Sequence, residues 1–334
     1  MNVFITGAAG FIGSHLVEYH LNKGDSVHGV DNLSTGVMEN IASFTENPDF
    51  RFDRADILSW PGLEAAVSRA DRIYNMAAVV GVFKVLQDPV NVIKTNISGC
   101  ERLLRFALKN PSNPQVVLAS SSEVYGSLDQ HGFDSCCEDG PVVIRLDESL
   151  RWNYVISKMA DEALGMSYVH QFKRNIIIIR LFNIIGPRQT GIYGMVVPRF
   201  ISQALCGEPI SVYGDGSQTR CFCDVRDVVV AMDLLVSNPA SSGEIVNLGR
   251  NGSSVSIKEL AGRIKEKCAS TSPIVYVPYE KAYGTCFRDI QHRKPAIQKL
   301  IKLTDMKFKW SLDATLDDLI RRGASSTFQP FPKR

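Results

Sequence analysis

Short apolar runs alternate with longer segments whose apolar positions recur every three or four residues. This is the pattern of a parallel sheet covered by helices on both faces. The runs at 2–6 (NVFIT), 26–31 (SVHGVD), 51–53, 72–77 (RIYNMA), 115–121 (QVVLASS), 175–181 (NIIIIRL) and 244–248 (EIVNL) predict strands. The segments at 11–22, 60–68, 88–109 and 150–172 predict helices between them. Such a sheet collects its ligands at the carboxyl ends of its strands. After Asn183 the texture changes to loops rich in Gly and Pro, "GPRQTGIYGMVVPRF" and "GEPISVYGDGSQTR". A helix at 226–237 and the strand at 244–248 return to the first lobe, and 253–322 reads as a smaller mixed lobe.

Composition adds mainly exclusions. The 334 residues suffice for two lobes, and 45% hydrophobic with 22% charged residues is ordinary for a globular chain. A formal net charge of +2 gives no footprint for nucleic acid. Eight cysteines are scattered, with no second pair at zinc-ligand spacing beside Cys221 and Cys223, so neither a metal nor a disulfide framework is expected. The N-terminal "MNVFIT" lacks a basic flank and meets glycine within seven residues, so it reads as a first strand. No run approaches the ~18 to 20 apolar residues of a membrane span. A cytoplasmic protein with no membrane partner is expected, disordered only at "STFQPFPKR".

"TGAAGFIGSHL" spaces Gly7, Gly10 and Gly13 three apart, directly after a strand and before a helix. Glycines there let the backbone approach a pyrophosphate, which the amides and dipole of the helix N-terminus stabilise. The spacing is G-x-x-G-x-x-G, not the G-x-G-x-x-G form. Asp31 ends the second strand, where a carboxylate accepts both hydroxyls of an adenosine ribose. It would repel a 2′-phosphate, since two charges ~4 Å apart interact by roughly 1 to 4 kcal/mol. The expected cofactor is therefore NAD and not NADP. Asp56 and Ile57 in "RADI" suit an adenine edge, and "NMAA" sets small residues where a cofactor passes closely.

"RWNYVISKMADE" places Tyr154 and Lys158 four apart on one helix face. A cation below a phenol favours the phenolate, so Tyr154 is expected to act as a base below its reference pKa of about 10. "TGAAGFIG", "DNLSTG", "NMAA", "SSSEVYG", "YVISK" and "RLFNIIGPR" together resemble the extended short-chain dehydrogenase/reductase superfamily of nucleotide-sugar epimerases, dehydratases and decarboxylases. The resemblance spans essentially the whole chain. It implies a Rossmann-like α/β fold, a doubly wound parallel sheet over 1–183 that also receives about 221–250. A nucleotide-sugar-binding lobe over 184–334 would complete it, and the family's homodimer would pack 88–109 and 150–172 into a four-helix bundle.

The resemblance also implies roles. Tyr154 would be the base, Lys158 would bind the nicotinamide ribose, and Ser121 would hold the reacting sugar hydroxyl. Phe11, Ile12, Asn32, Ser34, Thr35 and Gly36 would join the cofactor site, with Ala77, Ala78 and Asn96. Asn183, Val197, Arg199, Tyr213, Arg220 and Arg293 would grip the nucleoside diphosphate, Tyr213 as a ring for uracil. A guanidinium suits phosphate through two parallel charged hydrogen bonds. Ala296 stands where the family commonly has Asp in support of the last arginine.

All these enzymes begin by oxidising C4 of the sugar. A 4,6-dehydratase then uses an Asp-Glu pair before "VYG"; here Ser122-Glu123 occupies it, and the acid is missing. Typical 4-epimerases carry a small or hydroxyl residue at the position of Glu123. The Ser-Glu pair resembles UDP-glucuronate decarboxylases, which form UDP-xylose or a UDP-4-keto-pentose. The expected reaction is that decarboxylation; the alternative is a UDP-sugar 4-epimerase, and a different class is a non-catalytic NAD-binding regulator. His15, Met159 and Met166 are expected to pack, Lys84 to be a loop cation, and "CCEDG" at 136–140 to be a surface insertion near the site.

Overall fold

The computed structural model describes residues 1–334 except 129–131, 134, 145–151, 193, 253, 284–288, 326–334 and the side chains at 82 and 325. The expected disorder of "STFQPFPKR" and the start of the helix predicted from 150 lie outside the described residues.

Seven parallel strands form the central sheet: β1 (Asn2–Thr6), β2 (Ser26–Asp31), β3 (Phe50–Arg54), β4 (Arg72–Asn75), β5 (Gln115–Ser121), β6 (Ile176–Leu181) and, much later, β11 (Ile245–Leu248). Their spatial order is β11-β6-β5-β4-β1-β2-β3. The order reverses between β1 and β4, and that switch point opens a crevice at the strand carboxyl ends. The central strands read as apolar runs because both faces are covered. On one face lie α1 (Phe11–Asn22) and α7 (Val225–Ser237), burying Leu16, Val17, Val228, Met232 and Leu235. On the other lie α2 (Leu63–Ser68), α4 (Pro89–Lys109) and α5 (Trp152–Phe172), burying Leu63, Val67, Leu103 and Leu104. Each such side chain contributes about 1.5 to 3 kcal/mol when taken from water.

Met76 and Ala77, read as strand, leave the sheet after Asn75, and a helix not read from the pattern, α3 (Val82–Gln87), follows. Asp88 then caps α4, its Oδ1 accepting from Asn91 N at 3.2 Å.

The chain after Asn183 builds short pieces: β7 (Ile184–Ile185), α6 (Val196–Leu205), β8 (Ile210–Tyr213), β9 (Thr219–Arg220) and β10 (Cys223–Asp224). Beyond β11 come β12 (Val255–Ser256), α8 (Ile257–Lys267), β13 (Ile274–Val277), α9 (Tyr279–Tyr283), β14 (His292–Arg293), α10 (Gln298–Thr304) and α11 (Leu312–Ser325). Phe200 and Ile201 of α6, Leu260 and Ile264 of α8 and Leu316 of α11 share a separate core. The three-stranded β12-β9-β14 sheet brings Arg220 and Arg293 into register. No described helix is long and apolar enough to cross a membrane.

Candidate active site

The glycine turn after β1 has no room for side chains. Gly7 has φ +70°, and a Cβ there would sit 2.9 Å from Ala77 N. A Cβ on Gly13 would lie 2.0 Å from Gly7 O, and one on Gly10 3.0 Å from the same oxygen. The turn thus coils against the end of β4, which is why "NMAA" is small. Helix α1 begins after Gly10 with no side-chain cap and no acidic residue in its first turn. Its first amides are left to a ligand, and an anionic diphosphate fits that end. Phe11 and Ile12 pack their side chains against the core.

Asp31 is buried at the end of β2, its Oδ2 accepting from Ala9 N at 3.1 Å and its Oδ1 from Leu33 N at 2.8 Å. A Cβ on Gly36 would meet Asp31 Oδ2 at 2.7 Å, so only glycine lets the loop close over this carboxylate. Asn32 Nδ2 donates to Asp56 Oδ2 at 3.1 Å, and Asn32 Oδ1 accepts from Ser34 N. Ser34 also lends its carbonyl to Lys84 Nζ at 2.9 Å, so Lys84 ties α3 to this loop. Thr35 is half-buried beside them. The Ile57 side chain is in the core under α4, and Asn96 holds Val79 N through Oδ1 (2.8 Å) and Ser157 through Nδ2 (3.0 Å). Ala78 is half-buried between Ala77 and that Val79 clasp. The mononucleotide ends of β1, β2 and β4 therefore fit NAD.

At the other end of the crevice, β5 runs into a tight turn over Ser122–Tyr125. Its three serines do different work. Ser120 Oγ donates to Glu162 Oε1, which with Oε2 also takes a bidentate pair from Arg180 at 2.9 and 2.7 Å. Ser121 caps the turn, accepting from Glu123 N at 3.2 Å, and its hydroxyl also reaches Tyr154. Ser122 is buried and accepts from Arg293 Nη1 at 3.4 Å.

Burial raises the Tyr154 phenol above its ordinary value; the Lys158 ammonium and Ser121 hydroxyl oppose this, and the Glu123 and Asp161 carboxylates add to it. The phenol is therefore shifted up, opposite to the expected lowering. Part of the reason is that Lys158 Nζ is engaged by Asp161 Oδ2 at 3.1 Å. Burial would depress Lys158, but Asp161 and Tyr154 outweigh it and hold the ammonium charged.

Arg293 lies at the chemical end. Its Nη1 pairs with Glu123 Oε1 at 2.7 Å, while Nε and Nη2 are buried with no hydrogen-bond partner among the described residues. The support that Ala296 cannot give comes from elsewhere: β14 pairs with β9, Cys136 O accepts from Ala296 N at 2.9 Å, and Asn247 Nδ2 donates to the carbonyls of Cys136 and Ala296. Cys136 is accordingly buried against Val124, Tyr125 and Phe182 and anchors the "CCEDG" stretch, while Cys137 and Asp139 stay exposed.

In the second lobe Arg199 stacks its guanidinium 3.8 Å from the centre of the Tyr213 ring. Tyr283 of α9 meets both Tyr213 and Phe83 of α3 at 5.3 Å, so an aromatic row crosses between the lobes. Arg220 pairs with Asp289 at 3.0 Å. Asn183, at φ +44°, donates to Cys221 O at 3.1 Å, and the Val197 side chain lies in the lobe's core. Sequence reasoning missed Asp161, Phe83, Tyr283 and Asp289. Asp161 was visible in "SKMADE", three residues past Lys158, and Tyr283 in "YEKAY"; Phe83 and Asp289 carried no local signal. A cavity of about 620 Å³ lies apart, lined by His15, Glu18, Pro187, Arg188, Arg226 and Arg322 among others, and holds none of the predicted site residues.

This fold, glycine turn and Ser-Tyr-Lys set define an NAD-dependent short-chain dehydrogenase/reductase. The chain belongs to the NAD dependent epimerase/dehydratase family, whose model matches residues 3–249, and its cofactor is NAD. It is 37% identical, over 95% of its own length and 96% of the relative's, to the UDP-N-acetyl-alpha-D-glucosaminuronate decarboxylase of Bacillus cytotoxicus. It is 33% identical to UDP-glucuronic acid decarboxylase 2 of Arabidopsis thaliana, covering 96% of this chain and 68% of that one. Among solved structures, UDP-glucuronic acid 4-epimerase from Bacillus cereus, in complex with UDP-glucuronic acid and NAD, superposes with a TM-score of 0.83 at 27% identity, covering 96% and 99% of the two chains.

Proposed function

We propose that the protein decarboxylates a UDP-linked uronate, UDP-glucuronate or its 2-acetamido counterpart, to the UDP-pentose or the UDP-4-keto-pentose. The observation that carries this is the Glu123–Arg293 pair at the exit of β5, with two further guanidinium nitrogens buried and without a partner among the described residues. An arginine so placed offers a planar pair of donors to a carboxylate. The uronate is the one sugar of this series that brings a carboxylate there, and the named decarboxylase relatives lean the same way.

Tyr154 takes the proton of the sugar 4-hydroxyl, with Ser121 aligning that hydroxyl and Lys158 stabilising the phenolate. NAD, which the glycine turn and Asp31 would hold, would supply the acceptor for the C4 hydride. The product is a β-keto acid: its C5–C6 bond breaks, CO2 leaves, and the electron pair passes to the C4 carbonyl as an enolate. Arg293 would orient the carboxylate, and C5 would take its proton from solvent, with Glu123 placed to relay it; return of the hydride to C4 would give the UDP-pentose, and release before that step the UDP-4-keto-pentose. Arg199, Tyr213 and Arg220 would bind the nucleoside diphosphate, Tyr213 carrying the base on the face opposite Arg199. In this reading residues 1–183 with about 221–250 are the cofactor domain and the rest grips the nucleotide sugar. We further propose a cytoplasmic homodimer built on α4 and α5.

A 4-epimerase acting on the same uronate is the second reading, favoured by the Bacillus cereus neighbour. An NMR time course separates the two when UDP-glucuronate, UDP-N-acetylglucosaminuronate and UDP-glucose are offered in turn. Loss of C6 as CO2 is expected from a uronate. A C4-inverted sugar that keeps its carboxylate would replace this proposal with epimerisation.

A further inference from the structure

One turn beyond Lys158, helix α5 carries a carboxylate for which the chemistry above has no use. Asp161 Oδ2 accepts from Lys158 Nζ at 3.1 Å, and each side chain is only 5% exposed. From α4 the Cys100 thiol lies beside the same carboxylate. Glu162, the other acid on this part of α5, is already spent on Arg180 and Ser120. Among the described residues, the charged and hydrogen-bonding groups that bear on Tyr154 are Lys158, Ser121, Glu123 and Asp161.

Stability alone does not call for such a pair. The desolvation of two buried charges roughly cancels their attraction, and well-packed apolar residues hold a helix as firmly. What the pair does is aim a cation. An ammonium has three donors on a flexible stem, and fixing one of them on Asp161 limits where the other two point. The same anion offsets the field that the ammonium exerts on the phenol one turn away.

We propose that Asp161 is a positioning residue for the base Tyr154: it holds the Lys158 ammonium in place beneath the phenol and counterbalances part of its charge. The proposal rests on the reading of Tyr154 as the base. With Asp161 present, the negative charge disfavours the phenolate; with it neutralised, Lys158 acts on the phenol undiminished.

The test is a tyrosinate titration by near-ultraviolet difference absorbance, each protein read against the same protein carrying Tyr154→Phe, so that only this phenol is seen. The titration itself needs no sugar substrate, so its outcome is separate from the outcome of the substrate panel. Asp161→Asn is expected to lower the titration midpoint by about half a pH unit or more. The acid limb of kcat/KM should move down with it, and Asp161→Glu should restore both. If the asparagine variant does not fold, Asp161→Ser, which also removes the charge but keeps an oxygen that can accept from Lys158, is read by the same criterion. A midpoint that stays put while activity or stability falls would mark Asp161 as a structural residue only, and a midpoint that rises would overturn the proposal equally.

Discussion

Glu123 links groups that the sequence sets far apart: its backbone amide donates to Ser121 two residues before it, and its carboxylate pairs with Arg293 on β14. Exchange of that carboxylate for an amide keeps the shape and removes the anion, leaving a buried guanidinium without its counter-charge. Under the decarboxylation reading, Glu123→Gln should cost about 10² in turnover or more, with NAD retained, when CO2 release is followed at fixed cofactor occupancy. Near-normal CO2 release would remove Glu123 from the chemistry. Polarity at this strand end was legible in "SSSEVYG", because three hydroxyls and an acid are more than a loop needs. The division of labour among the serines was not. Ser120 belongs to Glu162 and Arg180, and Ser122 to Arg293, and those partners arrive from elements 42 to 171 residues away.

At the scale of elements, legibility followed length. Strands of five to seven residues and the helices of twelve or more carry a period that fixes their type, so β1, β2, β5, α1 and α4 were read within a residue or two of their bounds. Strands of two residues carry no period, and β9 and β14 are of that kind. They are the pieces that bring Arg220 and Arg293 to the cleft, and so the pairing of Arg293 with Glu123 carried no local signal. The glycine turn is the opposite case, since its spacing states its geometry. Gly13→Ala would drive a Cβ to 2.0 Å from Gly7 O and force the turn away from β4. This variant should lose the cofactor during purification and show no rise in Tm on adding NAD. A normal Tm rise would mean that the turn relaxes without losing its amides.

Across the whole molecule, the chain between the two cores is fastened to the sheet by a histidine that has to stay neutral. His15 of α1 is 6% exposed, and its Nε2 meets the carbonyl of Pro187 at 3.0 Å, just after β7. The carbonyl can only accept, so Nε2 carries the proton and Nδ1 does not. Burial lowers this ring from 6.5 to about 4, against the raising influence of that same hydrogen bond. The folded pKa therefore lies below the unfolded one, and on acidification the unfolded chain takes up its proton first. His15 weakens the fold progressively as pH drops from about 6.5 to about 4 and adds nothing further below that. By linkage the loss is on the order of 3 kcal/mol at most. His20, also lowered by burial, contributes a slope of its own. His15→Gln keeps a donor for the Pro187 carbonyl and has no proton to gain. Urea midpoints measured between pH 7 and pH 4.5 should consequently fall less steeply for the glutamine variant than for the parent chain. Parallel slopes would mean that the proton taken up on acid unfolding goes to other groups, and that the α1 clasp on Pro187 holds equally well with a charged ring.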